Sequence, residues 1–376
     1  MKKILIIYNG NINNAPRPRR MIECLEKEYE LFVYSKKSSI PDELKSINFI
    51  FHNNSISKVE KIYKILLNKS NLYNKSIHDR KFTEKKEKLK KYEFDYIICH
   101  NIQLLPLALE IKKNAKLIFD AREYFPKHFE DRMIWKMLYQ DYNNFLVKTY
   151  MPKSDFIITV SDGIKKQYKK DLNVKNIEVI ESFPDYWDLK PSQIEENKIK
   201  IIHHGNATKS RKLEEMIYMM DFVDNKYRLD LMLVPSDKKY YNFLKNLVEK
   251  RENVNLIEPV AYKQIIPFIN KYDIGLFIAN PTTFNLKYTL PNKFFEFIQA
   301  RLAVIIGPSI EMKKYIDKYK FGKYSNSFDY KELAQLLNNL SEEEIFSMKL
   351  KANEVSKLLN KNKTCIKFKN LLRDIK

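Results

Sequence analysis

The chain is poor in glycine and cysteine, lacks long apolar runs and is short of negative charge, and each shortage narrows what it can be. Six glycines in 376 residues fall far below the roughly 7% of an average protein, so those that remain mark positions where the backbone needs them. The three cysteines, Cys24, Cys99 and Cys365, are odd in number, far apart and unaccompanied by a His/Cys cluster. They suggest neither a disulfide framework nor a zinc site, and a reducing, cytoplasmic compartment fits them best. No stretch reaches the ~18 consecutive apolar residues of a spanning helix, and the opening MKKILIIYNG reads as a first strand. Against 68 Lys and Arg stand only 47 Asp and Glu, a formal charge of +21. That excess calls for an anionic partner, for which nucleic acid, an acidic membrane face and a phosphate-bearing substrate all qualify.

What is present is material for two cores. A chain of this length, at roughly 100–200 residues per domain, predicts two domains, and 44% hydrophobic with 13% aromatic residues is a globular rather than a disordered composition. Strand-like runs alternate with helical ones: ILIIY, a helix from about Arg17 to Glu28, then ELFVY, INFIF, YIICH, KLIFD and DFIITV. This is the rhythm of a parallel sheet. Between Ser55 and Tyr92 the rhythm gives way to one or two long Lys-rich helices, read as an insertion at about 55–92. The segment ESFPDYWDLKPSQIEENK, with two prolines and no periodicity, reads as a linker. A second series follows: KIKIIHH, a helix from Leu213, LDLMLV, a helix near Tyr240–Lys250, VNLI, a helix near Lys263–Asn270, DIGLFIA, a helix from about Pro291, and LAVII. The expectation is an α/β chain of two doubly wound parallel-sheet domains, 1–185 and 186–355. A basic amphipathic helix at 356–376 is expected to return over the first. Gly10, Gly205 and Gly307 each follow an apolar run and precede a helical pattern, where open α/β sheets bind ligands.

The strongest chemical segment is YTLPNKFFEFIQARLAVIIGPS. Thr289 and Pro291 start a helix, and Lys293 and Glu296 occupy its first turns. Free N–H groups and the positive end of the helix dipole suit an anion, and Lys293 adds a charge beside them. A diphosphate fits there, with Glu296 accepting from the two hydroxyls of a ribose. The alternative is that Thr289, Pro291 and Glu296 only cap and stabilise the helix.

LPNKFFEFIQARLAVI resembles the nucleotide-binding helix of retaining GT-B glycosyltransferases, in particular family four. HHGNATKSRKLEEMI is similar to that family's first C-terminal strand and loop, in which a glycine is followed six residues later by a basic residue contacting the donor diphosphate; those positions are Gly205 and Arg211. ICHNIQLLPLALEIKKNAKLIFDAREYFP and FIITVSDGIKKQY resemble the second half of its N-terminal domain, so the likeness covers most of the chain. It implies a GT-B fold of two Rossmann-like domains facing a central cleft. It further implies a metal-independent enzyme without cofactor that moves a sugar from a nucleotide-activated donor, with retention of configuration, to a glycan or lipid-linked glycan in cell-surface polysaccharide or lipopolysaccharide synthesis.

The resemblance places donor binding at Gly205, Asn206, Arg211, Thr289, Leu290, Asn292, Lys293 and Glu296, with Arg211 and Lys293 opposing the charge on the departing diphosphate. Arg122 and Glu123, after a strand end, are candidates for the donor sugar or for orienting the acceptor, and a surface salt bridge is the alternative. Arg17, Arg19, Arg20, His100 and Asn101 are candidates for the acceptor side, with a satisfied structural histidine as the favoured alternative for His100. His203 and His204 stand at the start of the second series, where His204 either approaches the donor or packs. The chain departs from the family at Tyr288, where a Glu often touches the donor sugar, at Asn206, often basic, and at Arg122, where a His often faces the reacting sugar. The glycine-rich first loop is reduced to NGNINNAPRPRR. The nucleotide end of the site therefore transfers better than the sugar end. The basic insertion and the basic PRPRR segment suit an anionic lipid-linked or phosphorylated glycan at the inner membrane face, with peripheral attachment there; a merely solvated helix pair is the alternative. A GT-B-fold nucleotide-sugar epimerase, told apart by isomerising donor without acceptor, and a nucleic-acid-binding protein stand as alternatives. The latter has no recognisable binding module here.

Overall fold

Near-continuous apolar runs become strands buried on both faces, which is what a parallel sheet with helices on either side requires. The computed structural model describes residues 1–52, 57–278 and 280–375. The chain divides into two units, Met1–Ser182 with Thr364–Lys376, and Phe183–Lys363.

The first unit contains β1 (Lys3–Ile7), β2 (Glu30–Lys36), β3 (Asn48–His52), β4 (Tyr96–Cys99), β5 (Lys116–Ala121), β6 (Phe156–Thr159) and β7 (Ile177–Val179). They form one parallel sheet in the order β3-β2-β1-β4-β5-β6-β7. Its helices are α1 (Pro16–Leu25), α2 (Lys58–Lys69), α3 (Tyr73–Ile77), α4 (Arg80–Lys90), α5 (Leu105–Ile111), α6 (Met133–Tyr150) and α7 (Asp162–Leu172). The strand order reverses between β1 and β4, so the carboxyl ends of these two strands flank a topological switch point.

The second unit repeats the plan with β8 (Ile199–Asn206), β9 (Tyr227–Val234), β10 (Val254–Ile257), β11 (Ile274–Phe277), β12 (Ala303–Ile306) and β13 (Gly322–Tyr324), ordered β10-β9-β8-β11-β12-β13 and all parallel. Its helices are α8 (Glu214–Met219), α9 (Lys238–Val248), α10 (Ile265–Ile269), α11 (Phe284–Lys287), α12 (Asn292–Gln299), α13 (Ile310–Tyr319), α14 (Tyr330–Asn338) and α15 (Glu342–Ser356). Here the switch point lies between β8 and β11. The doubly wound α/β class read from the sequence is thus present twice.

Local signals account for several element ends. Pro16 occupies the first turn of α1, where its missing N–H costs nothing. Reciprocal capping boxes open α2 (Ser57 and Glu60) and α15 (Ser341 and Glu344). A last helix, α16 (Lys361–Asp374), runs from the second unit into the first, where Phe368, Leu371 and Leu372 join the core beside Ile4, Met21 and Leu25. Its lysines are matched locally, Lys367 to Glu181 and Lys369 to Glu28.

Several expectations are corrected. Cys24 and Cys365 are joined in a disulfide that ties α1 to α16, 341 residues apart; that separation is why no spacing rule detects it. The Lys-rich insertion is three helices, not one or two, because Asn71 turns left-handed after α2 (φ 57°) and Asp79 caps a fresh helix. The first helix ends at Leu25 rather than Glu28, and the 18-residue α6 has no counterpart in the sequence reading. The expected insertion's Ser55 and Ile56, Ala279 at the end of DIGLFIA, and Lys376 in the C-terminal helix lie outside the described residues.

Candidate functional site

At the switch point of the second unit, β8 delivers His203, His204 and Gly205 to its carboxyl end, and α12 begins beside them. The N-cap of α12 is Pro291, which makes no side-chain capping bond, and the helix turns the positive end of its dipole towards this place, which suits an anion. α12 sits close to the sheet because β11 carries Gly275: a Cβ there would fall 2.3 Å from the Phe297 ring. Gly205 has φ of 137°, a conformation that only glycine adopts readily. A side chain on it would come within 2.8 Å of Lys293 Nζ and 3.5 Å of Arg211 Nη1. Two cations therefore converge over one bare stretch of backbone.

Lys293 is 6% exposed and donates to His203 Nε2 at 3.0 Å. His203 Nδ1 donates to the Leu276 carbonyl at 2.8 Å, which fixes the neutral tautomer whose Nε2 accepts. Burial pushes the Lys293 ammonium well below its ordinary value, and Arg211 adds to this while Glu296 opposes it. Burial and then the Lys293 charge hold His203 neutral, and the same forces with Arg211 keep His204 neutral. Arg211, at the end of the short 3-10 turn Lys209–Arg211, is half-buried. Glu296, 4% exposed, lies 3.5 Å from His204 Nε2, which has no hydrogen-bond partner. The structure thus brings Gly205, Arg211, Lys293 and Glu296 together. Thr289 and Leu290 precede the Pro291 cap, Asn292 is the first helical residue, and Asn206 is exposed at the end of β8. The His203–Lys293 bond escapes sequence reasoning because its partners are 90 residues apart.

The first unit places its candidates differently. Arg17 reaches inward and forks onto Asp120, from Nε at 2.8 Å and from Nη2 at 2.8 Å, while Nη1 donates to the Ile180 carbonyl at 2.6 Å. His100 Nδ1 donates to the same carboxylate at 2.7 Å. Asp120 and His100 are fully buried. Burial alone would raise the Asp120 carboxyl, but Arg17 and His100 outweigh it and hold it well below the carboxylate range. Arg20 donates to the Ser182 carbonyl and hydroxyl, and Arg19 pairs with Glu23 and Glu43. The PRPRR segment is thus bound up with the protein itself rather than presented as a basic patch. Asn101 accepts from the Asn9 N–H at 2.8 Å, linking the carboxyl ends of β4 and β1. Arg122 lies over the Tyr8 ring at 5.8 Å, its buried Nε without a partner, and Glu123 pairs with His128 at 2.6 Å.

Among the described residues no cluster of three or more His, Cys, Asp or Glu is arranged to hold a metal, and no helix is long and apolar enough to cross a membrane. No protein-family model and no curated protein sequence matches the chain. Solved structures do. Sucrose-phosphate synthase from Thermosynechococcus elongatus superposes with a TM-score of 0.75 at 10% identity, covering 100% of this chain and 99% of that one. Anabaena Alr3699/HepE, solved with UDP and glucose, gives 0.72 at 11% identity with 100% of both chains covered. A glycosyltransferase from Rickettsia africae ESF-5 gives 0.70 at 15% identity, over 100% and 98%. The likeness is one of fold, and the fold is the two-domain GT-B α/β architecture.

Proposed function

We propose that the chain is a glycosyltransferase that takes its donor as a nucleoside diphosphate sugar in the second unit. The observation that carries this reading is Lys293: a buried ammonium beside a second cation, Arg211, over the open backbone of Gly205 and in the first turn of α12. Leaving a buried cation next to another cation is costly, and a diphosphate removes the cost. Glu296, one turn along α12, takes the ribose hydroxyls. As the bond between the sugar's C1 and the diphosphate breaks, negative charge builds on the leaving phosphate, and Arg211, Lys293 and the helix dipole oppose it. The acceptor hydroxyl attacks from the face that the phosphate leaves and passes its proton to the departing phosphate oxygen, which retains configuration, and no step calls for a metal. The acceptor is a glycan or lipid-linked glycan of the cell surface.

The same reading assigns an anionic membrane surface to the first unit. Val59, Ile62, Tyr63 and Leu66 on α2, and Met133, Ile134 and Met137 on α6, are each more than half exposed. α2 packs against α6, and Lys58, Lys61, Lys69 and Lys136 flank these rows. Each such lysine contributes about 1 kcal/mol near an anionic surface. Co-sedimentation with anionic but not neutral vesicles at low salt is expected, and its loss in Ile62→Asp.

Calorimetry with UDP, GDP and CMP tests the donor site before any acceptor is known. One nucleotide is expected to bind and to lose at least tenfold in Glu296→Ala. Absence of binding by all three would remove the reading.

A further inference from the structure

The three helices of the insertion enclose, with α6, a pocket of about 500 Å³, within the ~300–1,000 Å³ usual for small-molecule sites. Its floor is the carboxyl edge of the first sheet: Asn9 follows β1 and Gln103 follows β4, the two strands that flank the switch point. One wall is aromatic, with Trp135, Tyr139 and Tyr142 of α6. The opposite wall is polar and comes from α2 and α4.

Two features of the polar wall are unsatisfied. Asn68 is 8% exposed, yet its Oδ1 has no hydrogen-bond partner, a cost that a hydroxyl donor from a ligand would relieve. Lys85, half-buried, has no ion-pair partner among the described residues, and the exposed Lys61 is likewise free to meet an anion. The nearby charges are already committed: Asp79 pairs with Lys64 at 2.6 Å and caps α4 through the Phe82 N–H, and Lys81 pairs with Glu60 at 2.8 Å. Burial, with Lys64 and Lys81 close by, pushes the Lys85 ammonium below its ordinary value against the pull of Asp79. A bound anion would reverse that.

We infer that this pocket binds a phosphate-bearing sugar, with its ring against the α6 aromatics, a hydroxyl donating to Asn68 Oδ1 and the phosphate between Lys85 and Lys61. A pyranose has a face of C–H groups that packs on aromatic rings, and its hydroxyls and phosphate supply the donor and the charge that the other wall lacks. As the acceptor for the transfer proposed above, this sugar rests on that reading; its binding does not. The phosphosugar is either free or the head of a lipid-linked glycan, which share this chemistry.

The test is a titration of the full chain without nucleotide, by calorimetry on the natural protein and by Trp135 fluorescence in a Trp187→Phe background. The probes are glucose 1-phosphate, glucose, inorganic phosphate, and neutral vesicles carrying a polyprenyl-phosphate-linked glucose. Saturable binding of the free phosphosugar, at least tenfold tighter than glucose or phosphate alone, supports the inference and names the free source. Binding only to the loaded vesicles, and not to empty ones, supports it and names the lipid-linked source. Lys85→Met should weaken the phosphosugar at least tenfold and leave glucose unchanged, whereas Asn68→Leu should weaken both. No binding in either form, inorganic phosphate binding as tightly as the phosphosugar, or indifference to Lys85→Met would overturn the inference. Nucleotide binding without phosphosugar binding overturns this inference alone, and the converse overturns the glycosyltransferase reading alone.

Discussion

Arg17 in the first unit and Lys293 in the second are both buried cations, and their surroundings are opposite. Arg17 has a carboxylate held in a fork, and that carboxylate is further bonded by His100. Lys293 has a neutral imidazole for its hydrogen bond and Arg211 for its neighbour. A buried charge whose partners come from the protein is a structural element. One that is hydrogen-bonded only to a neutral group and faces a second cation, with Glu296 only partly offsetting its burial, is pre-arranged for a ligand that brings more negative charge. Lys349 sharpens the contrast within one unit, because it is as buried as Lys293 but is bonded to Asp273 at 2.7 Å, Ser192 and the Tyr272 carbonyl.

The comparison predicts which substitutions cost stability and which cost binding. Asp120→Asn removes the charge opposite Arg17 and should destabilise the protein by about 3–5 kcal/mol, as breaking a buried pair does, read from denaturant unfolding. Since the Asp120 carboxyl is held low in the folded state, its contribution is present above the unfolded aspartate value near ~4 and is lost as pH falls below it. The variant should therefore lose part of the natural protein's acid sensitivity. Lys349→Met strands Asp273 and should cost a similar ~3–5 kcal/mol with little direct effect on nucleotide affinity.

Lys293→Met should behave in the reverse way. Unliganded stability is expected to hold or rise, while turnover falls on the order of 10²-fold, the usual cost of one lost transition-state charge partner. Should Lys293→Met unfold the protein as readily as Asp120→Asn, the two cations play the same part and the distinction collapses. The smallest effect is in proton uptake. A diphosphate favours the ammonium form of Lys293, so nucleotide affinity should decline as pH rises through its lowered value, and binding should take up a fraction of a proton there. Calorimetry in buffers of different ionisation enthalpy measures that fraction, which should vanish in Lys293→Met.

The sequence made the sheets legible because strands buried on both faces are short unbroken apolar words such as KILII, YIIC and AVII. It made the start of α12 legible through Pro291 and the lysine two residues on. It hid α6, which has no side-chain cap and turns Met133, Ile134 and Met137 outward, so that its pattern lacks one clean apolar face. It also hid the fate of Arg17. PRPRR looks like a basic patch until the fold brings in Asp120, 103 residues away, and no local pattern carries that information. The pocket under the insertion was beyond reach for the same reason: Asn68, Lys85 and Trp135 sit on separate helices.

The Cys24–Cys365 bond closes a covalent circle that contains all of Phe183–Lys363. The second unit is therefore enclosed, in the covalent sense, between two cysteines that both belong to the first. In the chain-entropy picture such a long closed loop is worth on the order of 5 kcal/mol to the folded state. A protease that nicks the circle once leaves a molecule that runs as a single species until it is reduced, and only then separates into two pieces.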